Sequence, residues 1–167
     1  MRERLDAAIQ LREAGRASQD RTVLEQARTL LLELVAAQPD DAETNFQTAV
    51  AHDNSGLGSE AIPFYVRAID AGLVGPDLER ALLGLGSTYR SLGRYQAAVE
   101  TLRRGVSEFP ANRALQVFLA LALYNTQNYN EAMELVLTNL VETTADERLQ
   151  YFKRPIAYYA AHLDETW

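Results

Sequence analysis

The side chains with the most chemical potential lie in one polar stretch: Asn45, Gln47, Thr48, His52, Asp53 and Asn54. His52 and Asp53 pair an imidazole with a carboxylate. On a helix, however, sequence neighbours point about 100° apart, so the two cannot act as an acid–base dyad by themselves. The other histidine, His162, lies far along the chain, and no histidine pair has metal-binding spacing. Gly84-Leu85-Gly86-Ser87 has the glycines of a phosphate loop, yet the apolar pattern around it places it inside a helix. There is no cysteine, hence no thiolate nucleophile, disulfide or thiolate metal site. No catalytic residue, metal or cofactor is expected. What remains is recognition chemistry: arginines able to hold a carboxylate by charge-assisted bonds, set among aliphatic and aromatic side chains.

The bulk numbers narrow the partners. The 167 residues suffice for one domain with a real core. Hydrophobic residues at 47% and charged residues at 23% are ordinary for a globular chain. The formal net charge of −7 comes without any run of basic residues, so neither nucleic acid nor an anionic membrane is an expected partner. No apolar run is long enough to cross a bilayer, and the charged start Met1-Arg2-Glu3-Arg4 is unlike a signal peptide. The absence of cysteine fits a reducing compartment, and a cytoplasmic location is expected.

The elements that must position these residues are clearest between Leu82 and Pro110. Leu82, Leu85 and Tyr89 fall at i, i+3 and i+7 on one helix face. Gly86 lets a neighbouring helix approach its backbone, and Gly93 supplies a turn. Ala98, Leu102 and Val106 stripe a second helix that Pro110 stops. This helix hairpin recurs. Ala27, Ala61, Ala98 and Ala132 stand at equivalent places, 34, 37 and 34 residues apart, with the extra three residues assigned to the glycine loop near Gly72. The expected hairpins span about 2–38, 41–71, 77–109 and 112–142, with a capping helix over 145–163.

Several local expectations follow. The first helix has Leu5, Ala8, Ile9 and Leu11 inward and ends at Ala14, with Gly15 to Asp20 a loop. Asp40 or Asp41 caps the third helix, and Asn112 the seventh. Pro63 falls in the first turn of its helix. Tyr129, Ala132 and Val136 face inward on the eighth. Thr144-x-x-Glu147 opens the capping helix as a capping box. That helix buries Leu149, Phe152, Ile156, Tyr159 or Ala160, and Leu163, with a kink at Pro155.

The order Leu82-x-x-Leu85-Gly86-x-x-Tyr89, Ala98-x-x-x-Leu102, Pro110 resembles the tetratricopeptide repeat signature, with Leu at the usual Trp and Phe places. From about Leu5 to Trp167 the chain resembles family five of that clan, through His52-Asp53, Gly84 to Arg90, Ala122-Leu123-Tyr124-Asn125 and the tail Tyr158 to Trp167. Pro155 departs from its pattern. The resemblance implies an all-α, right-handed solenoid of about four antiparallel hairpins plus a capping helix. It implies a bacterial, non-catalytic protein-interaction module.

In such repeats the first helices line a concave groove, with residues two, five, nine and twelve of each repeat facing in. Carried onto this chain these are Glu43, Phe46, Val50 and Asp53; Arg80, Leu83, Ser87 and Arg90; and Ala114, Val117, Leu121 and Tyr124, beside Asn125. Arg148, Tyr151, Pro155 and Tyr158 follow if the last helix continues the stack. Phe46, Leu83, Val117, Leu121, Tyr124 and Tyr158 would anchor a peptide, and Arg80 or Arg90 would take its carboxylate. The Lys and Asn or Arg of the chaperone-tail carboxylate clamp are absent. Two alternatives stand beside peptide binding. The last helix could fill the groove, with Tyr151 and Tyr158 over Leu121 and Tyr124. The chain could form a homodimer through Trp167, an interface-prone residue type. A hydrolase-like activity at His52 and Asp53 is the remote alternative.

Overall fold

The structure is a computed structural model that describes residues 1–166. Every regular element among them is a helix: α1 (Arg2–Ser18), α2 (Arg21–Ala37), α3 (Ala42–Asn54), α4 (Gly58–Asp70), α5 (Gly75–Ser91), α6 (Tyr95–Glu108), α7 (Arg113–Asn125), α8 (Tyr129–Thr143), α9 (Glu147–Tyr151) and α10 (Lys153–Ala160). Consecutive helices pair as antiparallel hairpins, α1–α2 through α7–α8, and each hairpin packs on the next. The odd helices also touch along the row, α1 to α3, α3 to α5 and α5 to α7, whereas α2, α4, α6 and α8 make no comparable contact with one another. The row therefore bends toward its odd helices, giving an all-α solenoid with an inner wall.

Small residues set the approach of the two helices in each hairpin. Ala27, Ala61, Ala98 and Ala132 are all buried, and twelve residues before each stands Gly15, Ala49, Gly86 or Ala120, also buried. A Cβ on Gly86 would lie 2.4 Å from the Leu102 side chain, and one on Gly15 3.0 Å from the Leu24 backbone nitrogen. The expected loop at Gly15 is thus a correction. Gly15 is a contact glycine inside α1, which runs on to Ser18 and ends at Gln19 in the left-handed region, φ 55°. Asp20 then caps α2 by accepting from the Thr22 and Val23 N–H groups. The first hairpin obeys the same spacing as the others.

Caps and turns explain the remaining boundaries. Asp41 accepts from Thr44 N–H and Asn112 from Leu115 N–H, each at the expected helix start. Gly56, Gly93 and Gln127 take positive φ in the three later hairpin turns, each five residues before its repeat alanine. The three extra residues of the second period, expected in the loop near Gly72, lie instead in α5, which has 17 residues against 13 in α3 and α7, while the 71–74 loop is as long as 38–41 and 109–112. Pro63 lies beyond the first turn of α4, which begins at Gly58. Its ring costs the bond to the Ser59 carbonyl, and the exposed face leaves that oxygen to water.

The C-terminal segment departs most from expectation. In place of one kinked helix there are two short ones, broken at Phe152 rather than at Pro155, which sits in the first turn of α10. Asp146, not Thr144, caps α9, accepting from Arg148 and Leu149 N–H. Apart from a small contact with α9, α10 packs on α8, along the side that carries Asn130 and Glu134. Of the expected buried stripe, Ala160 is buried, while Phe152, Tyr159 and Leu163 are exposed. Tyr129 and Val136, expected inward on α8, are exposed too, because no further helix covers that side. No helix among the described residues is long and apolar enough to cross a membrane.

Candidate protein-binding surface

The inner wall begins with a polar floor. Arg12 of α1 is buried and donates through Nη1 to Gln47 Oε1 of α3 at 2.5 Å. Its nearest carboxylate, Glu13, is 3.7 Å away, and burial lowers the guanidinium pKa. The motif spacing places Arg12 at the fifth residue of the first hairpin, the place held by Phe46, Leu83 and Val117 in the later ones. Sequence alone hides Arg12, because Gly15 followed by a polar run has the pattern of a loop. The twelve-residue interval from Gly15 to Ala27, shared with Gly86 and Ala98, is the signal that finds it.

Phe46 is wholly buried and cannot touch a ligand, a correction to its role as an anchor. It packs against Tyr65 and lies beneath the Arg80 guanidinium, 5.3 Å from the ring centre. Arg80 itself is exposed and 3.5 Å from Asp77. Asp53 ties three helices together. It accepts from the Tyr65 hydroxyl of α4 at 2.8 Å and from the Thr88 hydroxyl of α5 at 3.1 Å. Burial raises the Asp53 pKa, against the pull of those two donors. The Tyr65 pKa is raised as well, first by burial and then by the Asp53 charge. Val50, Leu83, Ser87 and Arg90 are half-buried, and Arg90 Nε donates to Asn125 Oδ1 at 2.9 Å, joining α5 to α7. Val117, Leu121 and Tyr124 of α7 are exposed, Tyr124 at 63%. The structure thus brings Arg80, Leu83, Ser87, Arg90, Val117, Leu121, Tyr124 and Asn125 onto adjacent inner helices, while Phe46 and Asp53 serve beneath them.

One expected alternative, the last helix filling the groove, loses its structural basis. α10 lies on α8, so Tyr151 and Tyr158 do not cover Leu121 and Tyr124, and Tyr151 is 82% exposed. Tyr158 consequently stands apart from the α5–α7 wall. Trp167 lies outside the described residues.

The polar face of α3 is satisfied internally except at Asn54, whose buried Nδ2 has no hydrogen-bond partner among the described residues. Asn45 Nδ2 donates to the Pro39 and Asp41 carbonyls, and its Oδ1 accepts from Arg67 Nε at 3.0 Å. Thr48 Oγ1 donates to the Thr44 carbonyl, and His52 Nδ1 bonds the Thr48 carbonyl at 2.8 Å. His52 is buried and stacks on Phe64, which carries Arg67 on its ring. His52 and Asp53 point to different partners, so the pair assembles no dyad.

Comparison with known proteins agrees with this architecture. Residues 42–163 match a family model described as Tetratrico peptide repeat, and residues 5–73 match a second, Tetratricopeptide repeat. No curated protein matches the sequence. Among solved structures the chain is similar to that of Pseudomonas aeruginosa PilF, with 18% identity, TM-score 0.67 and coverage of 99% of this chain and 78% of that one. It is also similar to MamA of Desulfovibrio magneticus RS-1, with 20% identity, TM-score 0.66 and coverage of 94% and 90%. At such identities these structures speak to fold alone. The repeated hairpins, their small-residue contacts and the two family matches lead to one conclusion: the chain belongs to the tetratricopeptide repeat family.

Proposed function

We propose that this chain is a non-catalytic binding module that takes an extended or helical peptide segment of another protein along α5 and α7. The observation that carries the reading is the exposed apolar row Val117, Leu121 and Tyr124 beside the half-buried Leu83, Ser87 and Arg90. Apolar groups left in water on the inner wall of a solenoid are a binding surface when the chain's own tail does not cover them. Arg80 at the rim offers a charge for a carboxylate on the partner. Arg90 is already held by Asn125 and supplies a fixed donor. The half of the wall nearer α1 is closed by its own pairs, Arg12 with Gln47 and Arg2 with Glu43 at 2.6 Å, so the ligand is placed toward α5 and α7.

Peptides selected from a random-sequence display library against the intact chain provide the test. Val117→Asp should weaken the selected peptides by at least about tenfold, with helicity unchanged, because it puts a charge at an apolar contact. Equal affinity for both chains would contradict the reading.

A further inference from the structure

The last hairpin has an open side that its three predecessors do not. Leu31, Tyr65 and Leu102 occupy the same place on α2, α4 and α6, and all are buried, because α3, α5 and α7 respectively lie over them. The corresponding residue of α8, Val136, is 43% exposed. Ile62 and Val99 are buried, whereas their counterpart Met133 is exposed. Together with Tyr129, Leu121 and Tyr124 these side chains line an apolar pocket of about 370 Å³ between α7 and α8. The shape is that of a helix seat, since the same seat on α6 receives Leu115 so closely that a Cβ on Gly105 would lie 2.7 Å from it.

We infer that this end of the solenoid is a self-association face, on which two copies meet about a twofold axis and each sets its α9–α10 segment toward the α7–α8 seat of the other. Three observations favour a second copy over other occupants. Apart from Met1, Val74, Leu92 and Tyr95, every exposed large hydrophobic side chain among the described residues lies at or beyond Val117. The opposite end is α1, which shows Glu3, Gln10, Glu13 and Arg16 to water, and the apolar hollow beside Leu11 and Leu30 of the first hairpin is rimmed by Glu25, Gln26 and Thr29. Head-to-tail stacking is thereby disfavoured, and an end-to-end pair, which presents like surface to like surface, closes.

The second observation is that seat and filler lie on the same end. The sequence pattern of Leu149, Phe152 and Ile156 is that of a helix stripe meant for burial, yet Phe152 is exposed and Leu149 and Ile156 are only half-buried. A twofold operation brings that stripe to the partner copy's seat and the reverse. The third is charge. On a chain of net charge −7, self-association needs a face without like charges at its centre. The seat is lined by Ala, Leu, Tyr, Met and Val alone. Its flanking acids Glu131 and Glu142 are already paired, with Arg103 at 2.6 Å and with Arg113. The seat shares Leu121 and Tyr124 with the edge of the proposed peptide surface, so the two would compete there, but the inference rests on the α7–α8 end and not on the peptide reading.

Sedimentation equilibrium of the full chain tests it, alongside Met133→Lys and Tyr129→Lys. Both residues are exposed, so neither variant should disturb the fold, and circular dichroism checks this. The wild type should show a concentration-dependent dimer, and each lysine should raise the dimer dissociation constant by at least about tenfold. A wild type monomeric up to about 100 µM, weaker than the roughly micromolar range of functional dimers, would overturn the inference. So would a dimer that both lysine variants leave intact, since its interface would then lie elsewhere.

Discussion

The Tyr65 hydroxyl donates to Asp53 Oδ2 across 2.8 Å, and it reaches that oxygen through a gap left by Gly84. A Cβ at position 84 would lie 2.5 Å from the hydroxyl oxygen and 2.8 Å from the ring carbon bearing it. One glycine in α5 thus lets a tyrosine of α4 satisfy a carboxylate of α3, and Thr88 completes the set. The inner wall at its midpoint is held by this cluster rather than by apolar packing alone.

Gly84→Ala should therefore destabilise the chain, and Tyr65→Phe should cost about 1–2 kcal/mol through the lost hydrogen bond. The double variant should cost less than the two single costs combined, because removing the hydroxyl also removes the closest clash. Urea denaturation of the four chains gives the coupling directly. Strict additivity would mean that the two residues do not meet.

Asp53 predicts a pH dependence. Burial raises its pKa in the folded chain above the unfolded value, so the folded state holds more protons between the two. The Asp53 contribution to stability is then fully present below the unfolded pKa and falls as pH rises through the folded pKa. Relative to the wild type, Asp53→Asn should gain stability as pH climbs through that window. The readout is the difference in denaturation midpoints across the acidic range to neutrality, and the opposite slope would contradict the burial argument.

Arg12→Met should cost about 2 kcal/mol, chiefly because Gln47 loses its partner in a buried place. Arg12→Met with Gln47→Leu should recover most of that loss, since no polar group is then stranded. Thermal melts of the single and double variants separate the two expectations.

Gln127 takes φ 65° in the turn between α7 and α8, where the equivalent residues Gly56 and Gly93 are glycines. Gln127→Gly should raise stability by up to about 1 kcal/mol, as relief of the left-handed strain exceeds the extra entropy of the unfolded chain. A lower melting temperature would count against it.

The repeat alanines made the solenoid legible, because a packing contact that must recur leaves a period in the sequence. Gly15 was misplaced for a physical reason. Glycine both ends helices and permits close helix contact, and only the interval to Ala27 distinguishes the two uses. The polar residues of α3 are structural, since Asn45, Thr48 and His52 occupy inward places and find partners there. Phe46 was misread because a groove position on one helix can be roofed by Arg80 of the next. The tail was least legible. Leu149, Phe152 and Ile156 have the stripe of a stacked helix, but the chain breaks at Phe152 and seats α10 on the far side of α8. A one-residue choice of backbone at Phe152 leaves little trace in a hydrophobic pattern.

The most direct measurement is a backbone amide NMR titration of the intact chain with a library-selected peptide. Binding on the inner wall predicts shift changes centred on Leu83, Ser87, Arg90, Val117, Leu121 and Tyr124, with α1 and α2 little affected. Changes confined to α2, α4 and α6 would contradict the account.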